Sequence, residues 1–247
     1  MAAKVRADQL LFSQGLADSR EKAKRLIMAG QVLLVSGSEA VPVDKPGQQL
    51  REDDILELKQ AERFVSRGGW KLLTAMEHFQ LDVRDSVCLD AGASTGGFTD
   101  CLLQHGASKV YAVDVGTLQL HERLRADSRV VSMENTNLRH APDNLLPEPV
   151  DLVVIDVSFI SLTLILPSCI RFLKPGGCIV ALIKPQFELG PEKNRKGVVR
   201  EEAHRQEAIQ KVLDFVEREM RLTCAGVTPS AIKGPKGNQE YLACFRA

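Results

Sequence analysis

Short apolar runs that have the character of strands alternate with segments of helical spacing from residue 86 to about residue 220. The runs VCLDAG, KVYAVDVG, VDLVVIDVSF and CIVALIK are separated by helix-like segments such as TDCLLQHG. Alternation of this kind is typical of a mostly parallel sheet that is covered by helices on both faces. In such sheets ligands bind at the carboxyl ends of the strands, where the strand order reverses. The fold class predicted for this part of the chain is therefore α/β, with a site at that edge of the sheet.

The residues before position 62 have a different pattern, which predicts a separate small module. Residues 5–15 have helical spacing, and Ser19 is a candidate N-cap for a second helix. The short strands VLLV and DILEL flank the turn-rich segment SGSEAVPVDKPGQQ. The predicted organisation is a small α+β domain over residues 1–61, a polar linker over 62–69 and the α/β domain over 70–247.

Composition limits the classes of protein to which the chain can belong. The 247 residues have a formal net charge of zero and are 44% hydrophobic and 26% charged, which predicts a packed core rather than disorder. The six cysteines are scattered without a Cys-x-x-Cys pair, which favours reduced thiols over a disulfide or zinc framework. The most apolar region is interrupted by Asp151, Asp156 and Pro167, and the N-terminus has no signal-peptide pattern. We therefore expect a cytoplasmic protein without a metal site and without a membrane segment.

Residues 4–25 hold six basic side chains against three acidic ones. A basic face on a small module suggests phosphate contacts, although a solvated helix face would look the same from charge alone. The order of residues in RADQLLFSQGLADSREKAKRLIMAGQVLLVSG resembles the S4 RNA-binding domain. The resemblance implies that the module binds structured RNA through a basic helix face, which fits the recognition of duplex RNA by shape and backbone. The residues that would contact RNA are Arg6, Arg20, Lys22, Lys24 and Arg25.

A glycine-rich turn, GASTGG at residues 92–97, follows an apolar run that contains Asp90. A P-loop would need a lysine where Phe98 stands, and a dinucleotide fingerprint would need a glycine where Ser94 stands. S-adenosylmethionine, which has an adenosine but no phosphate, fits better, because Asp90 would repel a phosphate. Asp114 ends the next strand-like run, about 20 residues after the turn begins, where an acid can reach ribose hydroxyls. The alternative, a plain tight turn, does not explain this pairing of turn and acid.

Two further polar residues end apolar runs. Asp156 ends DLVVID and Lys184 ends IVALIK, so both side chains are expected at the same edge of the sheet as the glycine turn. A lysine at the end of a buried strand is unfavourable unless it is paired or functional. A structural ion pair between the two residues is the alternative to a catalytic role. Lys71 and Glu240 could reach the same edge.

Lys71, Asp156, Lys184 and Glu240 match the Lys-Asp-Lys-Glu tetrad of the FtsJ-like RNA 2′-O-methyltransferases. Together with the S4-like module, the segments FVSRGGWKL, LDAGASTGGFTD, DVSFISL and IKPQFE make the whole chain similar to the TlyA family, whose members are often labelled haemolysins. The segment FLKPGGCIVALIK and the last two apolar runs resemble the fifth-strand turn and the terminal antiparallel hairpin of class I methyltransferases. The fold that this implies is a Rossmann-like, mostly parallel seven-stranded sheet that ends in the hairpin.

The resemblance also implies an activity and the residues that carry it. The activity is methyl transfer from S-adenosylmethionine to a ribose 2′-hydroxyl of cytidine in 16S rRNA, 23S rRNA or both, with ribosomal RNA or ribosomal subunits as the partner. The tetrad would be catalytic, with Lys184 held by Asp156. An ordinary lysine is charged at neutral pH, so the sequence leaves open whether Lys184 accepts a proton or acts as a fixed cation. The implied cofactor contacts are Asp90, Gly92, Ala93, Ser94, Thr95, Gly96, Gly97, Phe98, Asp114, Asn135 and Asp156.

Three other functions remain open from the sequence. The segment DVSF loosely resembles the Asp-Pro-Pro-Tyr loop of amino methyltransferases, with Phe159 stacking on a base, but Lys184 and Glu240 would then lack a role. A non-catalytic RNA- or ribosome-binding factor would not need the tetrad. A membrane-active haemolysin would need a membrane segment, which the sequence pattern does not predict.

Overall fold

The computed structural model describes residues 4–37, 39–59 and 63–247. The chain forms two compact units, Met1–Glu62 and Arg63–Ala247. Residue 62, at which the predicted linker begins, lies outside the described residues. Gly68 and Gly69, at the predicted end of the linker, form the first turn of a helix instead. These two glycines therefore belong to the larger unit.

In its described residues, the first unit is a small α+β module. Its elements are β1 (Lys4–Arg6), α1 (Ala7–Ser13), α2 (Arg20–Met28), β2 (Val32–Ser36), β3 (Glu39–Pro42), β4 (Gln49–Arg51) and β5 (Ile55–Leu58). β1 pairs with β4, and β2 lies between β3 and β5, all antiparallel. The segment predicted as turn-rich thus contains β3 and ends on the first residue of β4. All four residues of β3 are exposed, so this edge strand lacks the apolar alternation that marks a strand in a sequence.

The helices of the first unit follow from a cap and from apolar stripes. The Oγ of Ser19 accepts a hydrogen bond from the backbone N–H of Lys22 at 3.2 Å, which confirms the predicted N-cap of α2. Leu11 on α1 and Ile27 on α2 are buried in one small apolar core together with Val32 of β2.

The larger unit, which is described throughout, is a three-layer α/β domain. Its elements are α3 (Gly68–Phe79), β6 (Val87–Ala91), α4 (Gly97–Gln104), β7 (Lys109–Val113), α5 (Glu122–Arg125), β8 (Val130–Met133), β9 (Val150–Ile155), α6 (Leu162–Cys169), β10 (Leu173–Ile183), α7 (Pro185–Glu188), α8 (Glu202–Phe215), β11 (Thr223–Pro229) and β12 (Tyr241–Arg246). The helix predicted over about residues 200–220 is α8, which continues into a wider turn over Val216–Met220.

The sheet of this unit has seven strands in the order β11-β12-β10-β9-β6-β7-β8. The neighbours from β10 to β8 are parallel, and β12 runs antiparallel to both β10 and β11. This confirms the predicted mostly parallel, Rossmann-like sheet with a terminal antiparallel hairpin. Leu89 and Cys88 of β6 are both fully buried and belong to apolar clusters on opposite faces of the sheet. Burial on both faces explains why these strands are continuous apolar runs in the sequence.

The strand order reverses between β6 and β9. Their connections leave in opposite directions along the sheet, which opens a crevice beyond the carboxyl ends of these two strands. We call the side on which the parallel strands end the carboxyl edge. The antiparallel β12 starts at this edge, since Tyr241 pairs with Ile183 at the end of β10. Residues just before β12 therefore meet residues just after β9 and β10.

Candidate active site

The glycine turn after β6 lies at the crevice. At two of its positions only glycine fits, because of the backbone conformation and the nearby atoms. Gly92 has a φ of +85°, and a Cβ there would lie 2.9 Å from the carbonyl oxygen of Asp156. Gly96 has a φ of +94°, and a Cβ there would lie 2.2 Å from a methyl carbon of Leu124. Any side chain at either position would strain the backbone and collide with its neighbour. The turn therefore brings bare backbone to the carboxyl edge.

Asp114, just after β7, is held against the glycine turn. Its carboxylate accepts hydrogen bonds from the backbone N–H of Ser94 at 2.8 Å and of Gly116 at 2.7 Å. These bonds fix the orientation of the carboxylate, and each oxygen keeps a further lone pair for a ligand. Asp114 is thus a rigid acceptor at the position where the sequence predicts contacts to ribose hydroxyls.

Asp90 is completely buried inside β6 and does not line a cavity. One of its oxygens accepts hydrogen bonds from the backbone N–H and the hydroxyl of Thr99, at 2.9 and 2.7 Å, which ties the strand to α4. Burial, with a further contribution from the charge of Asp156, raises the pKa of Asp90 to about 7 against the hydrogen bonds from Thr99. Any effect of Asp90 on a cofactor is therefore indirect and acts through the shape of the turn.

Two cavities lie on the two sides of the glycine turn and share residues of it. The first has a volume of about 430 Å³ and the second about 400 Å³. The first is lined by Ser66, Arg67, Gly68, Lys71, Gly92, Ala93, Ser94, Thr95, Gly97, Phe98, Asp156, Ser158 and Lys184. The second is lined by Gly92, Ser94, Val113, Asp114, Val115, Gln119, Thr136, Asn137, Leu138, Asp156, Val157, Ser158, Phe159, Ile160 and Ile165. The two linings have Gly92, Ser94, Asp156 and Ser158 in common, so the cavities are neighbours at the strand-order reversal.

Lys184 and Asp156 form a buried ion pair at the carboxyl edge. The Nζ of Lys184 lies 2.5 Å from Oδ1 of Asp156, outside hydrogen-bond alignment, and donates a hydrogen bond to the Oγ of Ser158 at 2.9 Å. Only 9% of the Lys184 side chain is exposed, so its charge is compensated mainly by Asp156. Both residues line the first cavity, as their predicted positions at strand ends require. Ser158 was not singled out from the sequence, although it stands in the DVSF segment.

Lys71 and Glu240 form a second buried ion pair, which closes the tetrad. The Nζ of Lys71, in the first turn of α3, lies 2.7 Å from Oε2 of Glu240, just before β12. Glu240 is fully buried, and its Oε1 has no hydrogen-bond partner among the described residues. A buried acceptor of this kind favours a ligand that donates a hydrogen bond.

A third cavity, of about 340 Å³, is lined by three of the four tetrad residues. Lys71, Lys184 and Glu240 line it together with Ser158, and Gln186 and Asn194 contribute amide groups. The side-chain oxygens of these two amides are buried without a partner among the residues described. The lining also includes Phe159, Phe187, Gly197, Lys236 and Asn238. None of the amide residues was marked by the sequence, because a single Gln or Asn carries no spacing signal.

Asn135, the predicted residue near the adenine, lies outside all three linings, whereas its neighbours Thr136 and Asn137 line the second cavity. The backbone N–H of Asn135 donates to the carbonyl oxygen of Gly116, and its φ is +53°. Within this segment, the side chain of Glu134 makes more contacts to the neighbouring loop than Asn135 does. It accepts three backbone hydrogen bonds from Leu118, Gln119 and Leu120, at 2.8, 2.7 and 3.0 Å, and so fixes the loop that carries Gln119 to the second cavity.

Two of the predicted RNA contacts in the first unit share one buried acid. Arg6 and Arg20 both bind Asp8, at 3.0 and 3.3 Å, and Asp8 has no exposed surface. Burial raises the pKa of Asp8, but the hydrogen bonds and charges of Arg6 and Arg20 outweigh this and hold the pKa below its usual value. The two guanidinium groups remain about half exposed, so they present an oriented but partly neutralised pair to a partner.

The other predicted RNA contacts lie on α2. Lys22 pairs with Asp18 at 2.6 Å and Lys24 pairs with Glu21 at 2.8 Å, and these acids are largely exposed. Arg25 is exposed and has no carboxylate partner among the described residues. Most of the basic side chains counted in the sequence are therefore neutralised by acids of the same module.

No group of His, Cys, Asp or Glu side chains within the described ranges is arranged to hold a metal ion. Each of the six cysteines is a free thiol. None of the helices that the structure describes has the length and apolar character needed to cross a bilayer.

The sheet order, the glycine turn and the buried tetrad define a methyltransferase of the Rossmann-like class, preceded by a small RNA-binding type of module. The model of the FtsJ-like methyltransferase family matches residues 64–247, and that of the S4 domain matches residues 5–34. The chain belongs to the FtsJ-like methyltransferase family and carries an S4 domain at its N-terminal side.

Named relatives extend along the whole chain. The 16S/23S rRNA (cytidine-2′-O)-methyltransferase TlyA of Mycobacterium tuberculosis is 41% identical over 100% of this chain and 91% of its own length. Hemolysin A of Brachyspira hyodysenteriae is 41% identical over 98% of this chain and 99% of its own length. A solved structure from Streptococcus thermophilus, of a protein that carries a hemolysin name, is 46% identical with a TM-score of 0.74 and covers 100% of this chain and 89% of its own.

Proposed function

We propose that the chain transfers a methyl group from S-adenosylmethionine to the 2′-hydroxyl of a cytidine in ribosomal RNA. The observation that carries this proposal is the two ion pairs, Lys184–Asp156 and Lys71–Glu240, whose lysines line a cavity that the glycine turn helps to form. Membership in the FtsJ-like family and the similarity to a TlyA relative support the same reaction. The proposed partner is ribosomal RNA, free or in a subunit, and the proposed location is therefore the cytoplasm.

The first and second cavities suit the methyl donor. Gly92 lets the backbone of the turn approach a ligand closely, and Asp114 offers lone pairs to ribose hydroxyls. Val115 and Ile160 border the second cavity and provide apolar surface for an adenine. Phe98 stands where a phosphate-binding lysine would be needed, which suits a donor without phosphates. When bound, S-adenosylmethionine supplies a methyl group activated by a positively charged sulfur.

Lys184 and Asp156 are proposed to handle the proton of the acceptor hydroxyl. For this step the Lys184 ammonium must turn an N–H onto Oδ1 of Asp156, 2.5 Å away, and pass that proton on as its nitrogen takes the proton of the 2′-hydroxyl. The proton ends on the Asp156 carboxyl, and Lys184 keeps its charge beside the oxygen that has been methylated. Ser158 holds the Nζ in place through the 2.9 Å hydrogen bond, which preserves the alignment on which transfer depends.

Lys71 and Glu240 are proposed to position the ribose. Glu240 holds the ammonium of Lys71 at 2.7 Å, and Lys71 lines both the first and the third cavities, where it can donate a hydrogen bond to the 2′-oxygen. The single proton of the 2′-hydroxyl is then left for Lys184. The acceptor oxygen would lie between the Lys71 ammonium, which positions it, and the lysine that removes its proton.

The amides of Gln186 and Asn194 support cytidine as the target. Their buried oxygens lack partners among the described residues, and an unpaired buried acceptor costs about 1–3 kcal/mol. A base that donates hydrogen bonds to them is therefore favoured. Cytosine presents an exocyclic amino group where uracil presents an oxygen, as thymine does. We therefore propose that a uridine at the target position is a much poorer substrate.

The first unit is proposed to hold the RNA while the larger unit performs the transfer. We propose a functional division into an S4 domain over residues 1–61, a linker over 62–69 and a catalytic domain over 70–247. Arg6, Arg20, Lys22, Lys24 and Arg25 are the proposed RNA contacts of the S4 domain. A non-catalytic RNA-binding factor would share this domain but would not need two buried ion pairs at a donor-sized cavity.

The test is transfer of labelled methyl groups from S-adenosylmethionine to ribosomal RNA, supplied both free of protein and in subunits. The RNA is digested to nucleosides, and we expect the label in 2′-O-methylcytidine. Donor binding, measured separately by calorimetry, reports the cofactor part of the proposal alone. Label on a base would support the amino-methyltransferase alternative, and donor binding without transfer to either form of RNA would contradict the proposed substrate.

A further inference from the structure

Two tight turns at the mouth of the third cavity carry exposed cations that the sequence did not single out. The first turn spans residues 195–198, closed by a hydrogen bond from the N–H of Val198 to the carbonyl oxygen of Arg195 at 3.1 Å. The second spans residues 234–237, closed by a hydrogen bond from Gly237 to Gly234 at 3.1 Å. Gly197 and Lys236 line the third cavity, which places both turns beside the tetrad.

The four exposed cations on and next to these turns form what we call the cationic collar: Arg195, Lys196, Lys233 and Lys236. The turns are connected, since the Nζ of Lys236 donates to the carbonyl oxygen of Lys196 at 3.4 Å. The second turn is also anchored at its base, because Arg67 donates a hydrogen bond to the carbonyl oxygen of Lys233. The two turns that carry the collar are therefore linked and anchored by hydrogen bonds at the mouth of the third cavity.

Both turns place a lysine where the backbone disfavours one. Lys196 has a φ of +55° and Lys236 a φ of +59°, in the left-handed region that favours glycine and asparagine. Glycine would fit both positions at lower strain, as it does at the adjacent Gly197 and Gly237. Strained residues concentrate at functional sites, so a charged side chain at these two positions points to a use for the charge.

The collar cations are not neutralised within the part of the chain that the structure describes. None of the four has a carboxylate oxygen within 4.0 Å, whereas the nearby Lys193 pairs with Glu207 at 2.5 Å. Glu192 and Glu201 border the same shallow groove as Arg195 and Lys196 without pairing with them. An uncompensated positive surface at the entrance of an active site attracts an anionic substrate and speeds its association.

We propose that the cationic collar binds the RNA phosphates that flank the methylated nucleotide. The inference rests on the proposed function, which brings a ribose to Lys184. The carbon that bears the 2′-hydroxyl is bonded to the carbon whose oxygen is esterified to the next phosphate. A ribose in reach of Lys184 and Lys71 therefore carries its phosphates to the mouth of the third cavity, where Lys236 and Lys196 stand. These contacts position the backbone and carry no sequence information.

The experiment compares a collar variant, Lys196→Gln/Lys236→Gln, with a matched control, Arg221→Gln/Arg246→Gln. Arg221 also has a positive φ, of +55°, and lies two positions before Thr223, which pairs with Arg246. Both control arginines are exposed and lie at the edge of the sheet opposite the site. Glutamine keeps a polar side chain, one atom shorter than that of lysine, and removes the charge. Binding to protein-free ribosomal RNA is measured over a range of salt concentrations, with thermal unfolding as the check on folding.

We expect the collar variant to lower the slope of log affinity against log salt by about one per lysine, because each phosphate contact releases counterions. KM for RNA should rise and kcat should change little. The control should keep the parent slope. A folded collar variant whose RNA binding has the same salt dependence as that of the parent overturns the inference. A loss of affinity for ribosomal subunits without a loss of affinity for protein-free RNA also overturns it, because the collar would then contact ribosomal protein. Failure of the parent protein to methylate RNA would count against the proposed function and is recorded separately.

Discussion

The cations of the first unit and those of the larger unit have opposite surroundings. In the first unit, Arg6 and Arg20 share the buried Asp8, and the two lysines of α2 pair with exposed acids. In the larger unit, the cations of the site are either buried in ion pairs, as Lys71 and Lys184 are, or left without a described carboxylate partner, as in the cationic collar. The basic segment of residues 4–25 thus presents a surface that is largely neutralised by its own acids.

This difference shows that the count of basic residues does not measure the charge that a partner meets. An exposed ion pair contributes little stability, about 0–1 kcal/mol, but it must be disrupted or shared when a phosphate approaches. A buried pair serves a different purpose, because its charge is held in place for a ligand that enters the cavity. The three arrangements therefore predict three sizes of effect when a cation is removed.

The largest effect is expected at the buried pair of the site. Lys184→Ala should lower single-turnover methyl transfer by about 10²–10⁴-fold, the usual contribution of a general acid–base group, with little change in RNA or donor binding. Lys184→Arg should recover little activity, because a guanidinium keeps its charge but does not give up its proton. Arg218→Ala, which removes an exposed cation that lines none of the three cavities, is the control and should transfer methyl at nearly the parent rate. Near-parent transfer by Lys184→Ala would rule out the tetrad assignment.

The next-largest effect is expected in the pH dependence of the free energy of unfolding, through Asp90. This acid is buried and, in contrast to Asp8, has no cation partner among the described residues. Burial raises its pKa to about 7, whereas an unfolded aspartate titrates near about 4. Between these values only the folded state holds the proton, so the free energy of unfolding falls as the pH rises, by up to about 1.4 kcal/mol per pH unit. Above pH 7 this contribution no longer changes.

Denaturant unfolding of the parent protein and Asp90→Asn from pH 4.5 to pH 8 checks this. Below pH 7, the free energy of unfolding of Asp90→Asn should fall less with rising pH than that of the parent protein. Asp82→Asn is the control, since its exposed carboxyl pairs with Arg84, which lowers its pKa to about 2, and it titrates below this range. Parallel curves for the parent and Asp90→Asn would show that the buried carboxyl does not titrate as expected.

A smaller loss of stability is expected at Asp8. Asp8→Ala removes charged hydrogen bonds from Arg6 and Arg20 and should lower the free energy of unfolding by about 1–3 kcal/mol. Because the pKa of Asp8 is lowered in the folded state, this stabilisation is present above the unfolded value and is lost as the pH falls through the folded one. Asp18→Ala, at an exposed pair, should change stability by less than about 1 kcal/mol. Equal losses in the free energy of unfolding for Asp8→Ala and Asp18→Ala would contradict the expected difference between a buried and an exposed ion pair.

The smallest effect is expected for the basic face of the first unit. Arg20→Ala/Lys24→Ala should lower the salt slope of RNA binding, but by less than the collar variant does, because both cations are already paired. Donor affinity should not change. A decrease larger than that of Lys196→Gln/Lys236→Gln would show that the surface ion pairs open readily and that the S4 domain provides most of the phosphate contacts.

The fold and the centre of the site could be predicted because their signals are local in the sequence. Apolar runs buried on both faces identify the strands, and residues at the ends of parallel strands must share one edge, which places Asp156 and Lys184 together. The pairing of Arg20 with Asp8 could not be predicted, since the two residues are twelve positions apart and meet only through the packing of two helices. Likewise, the collar depends on backbone conformations at Lys196 and Lys236 that lysine rarely adopts, so no residue pattern marks them.

The central claim is that this chain methylates ribose in ribosomal RNA, and nucleotide-resolution mapping of ribose methylation in cells with and without the protein tests it most directly. The account predicts that at least one 2′-O-methylcytidine is present only when the protein is present, and that complementation with Lys184→Ala does not restore it. Identical ribose maps in the two strains, or a change confined to base methylation, would contradict the account.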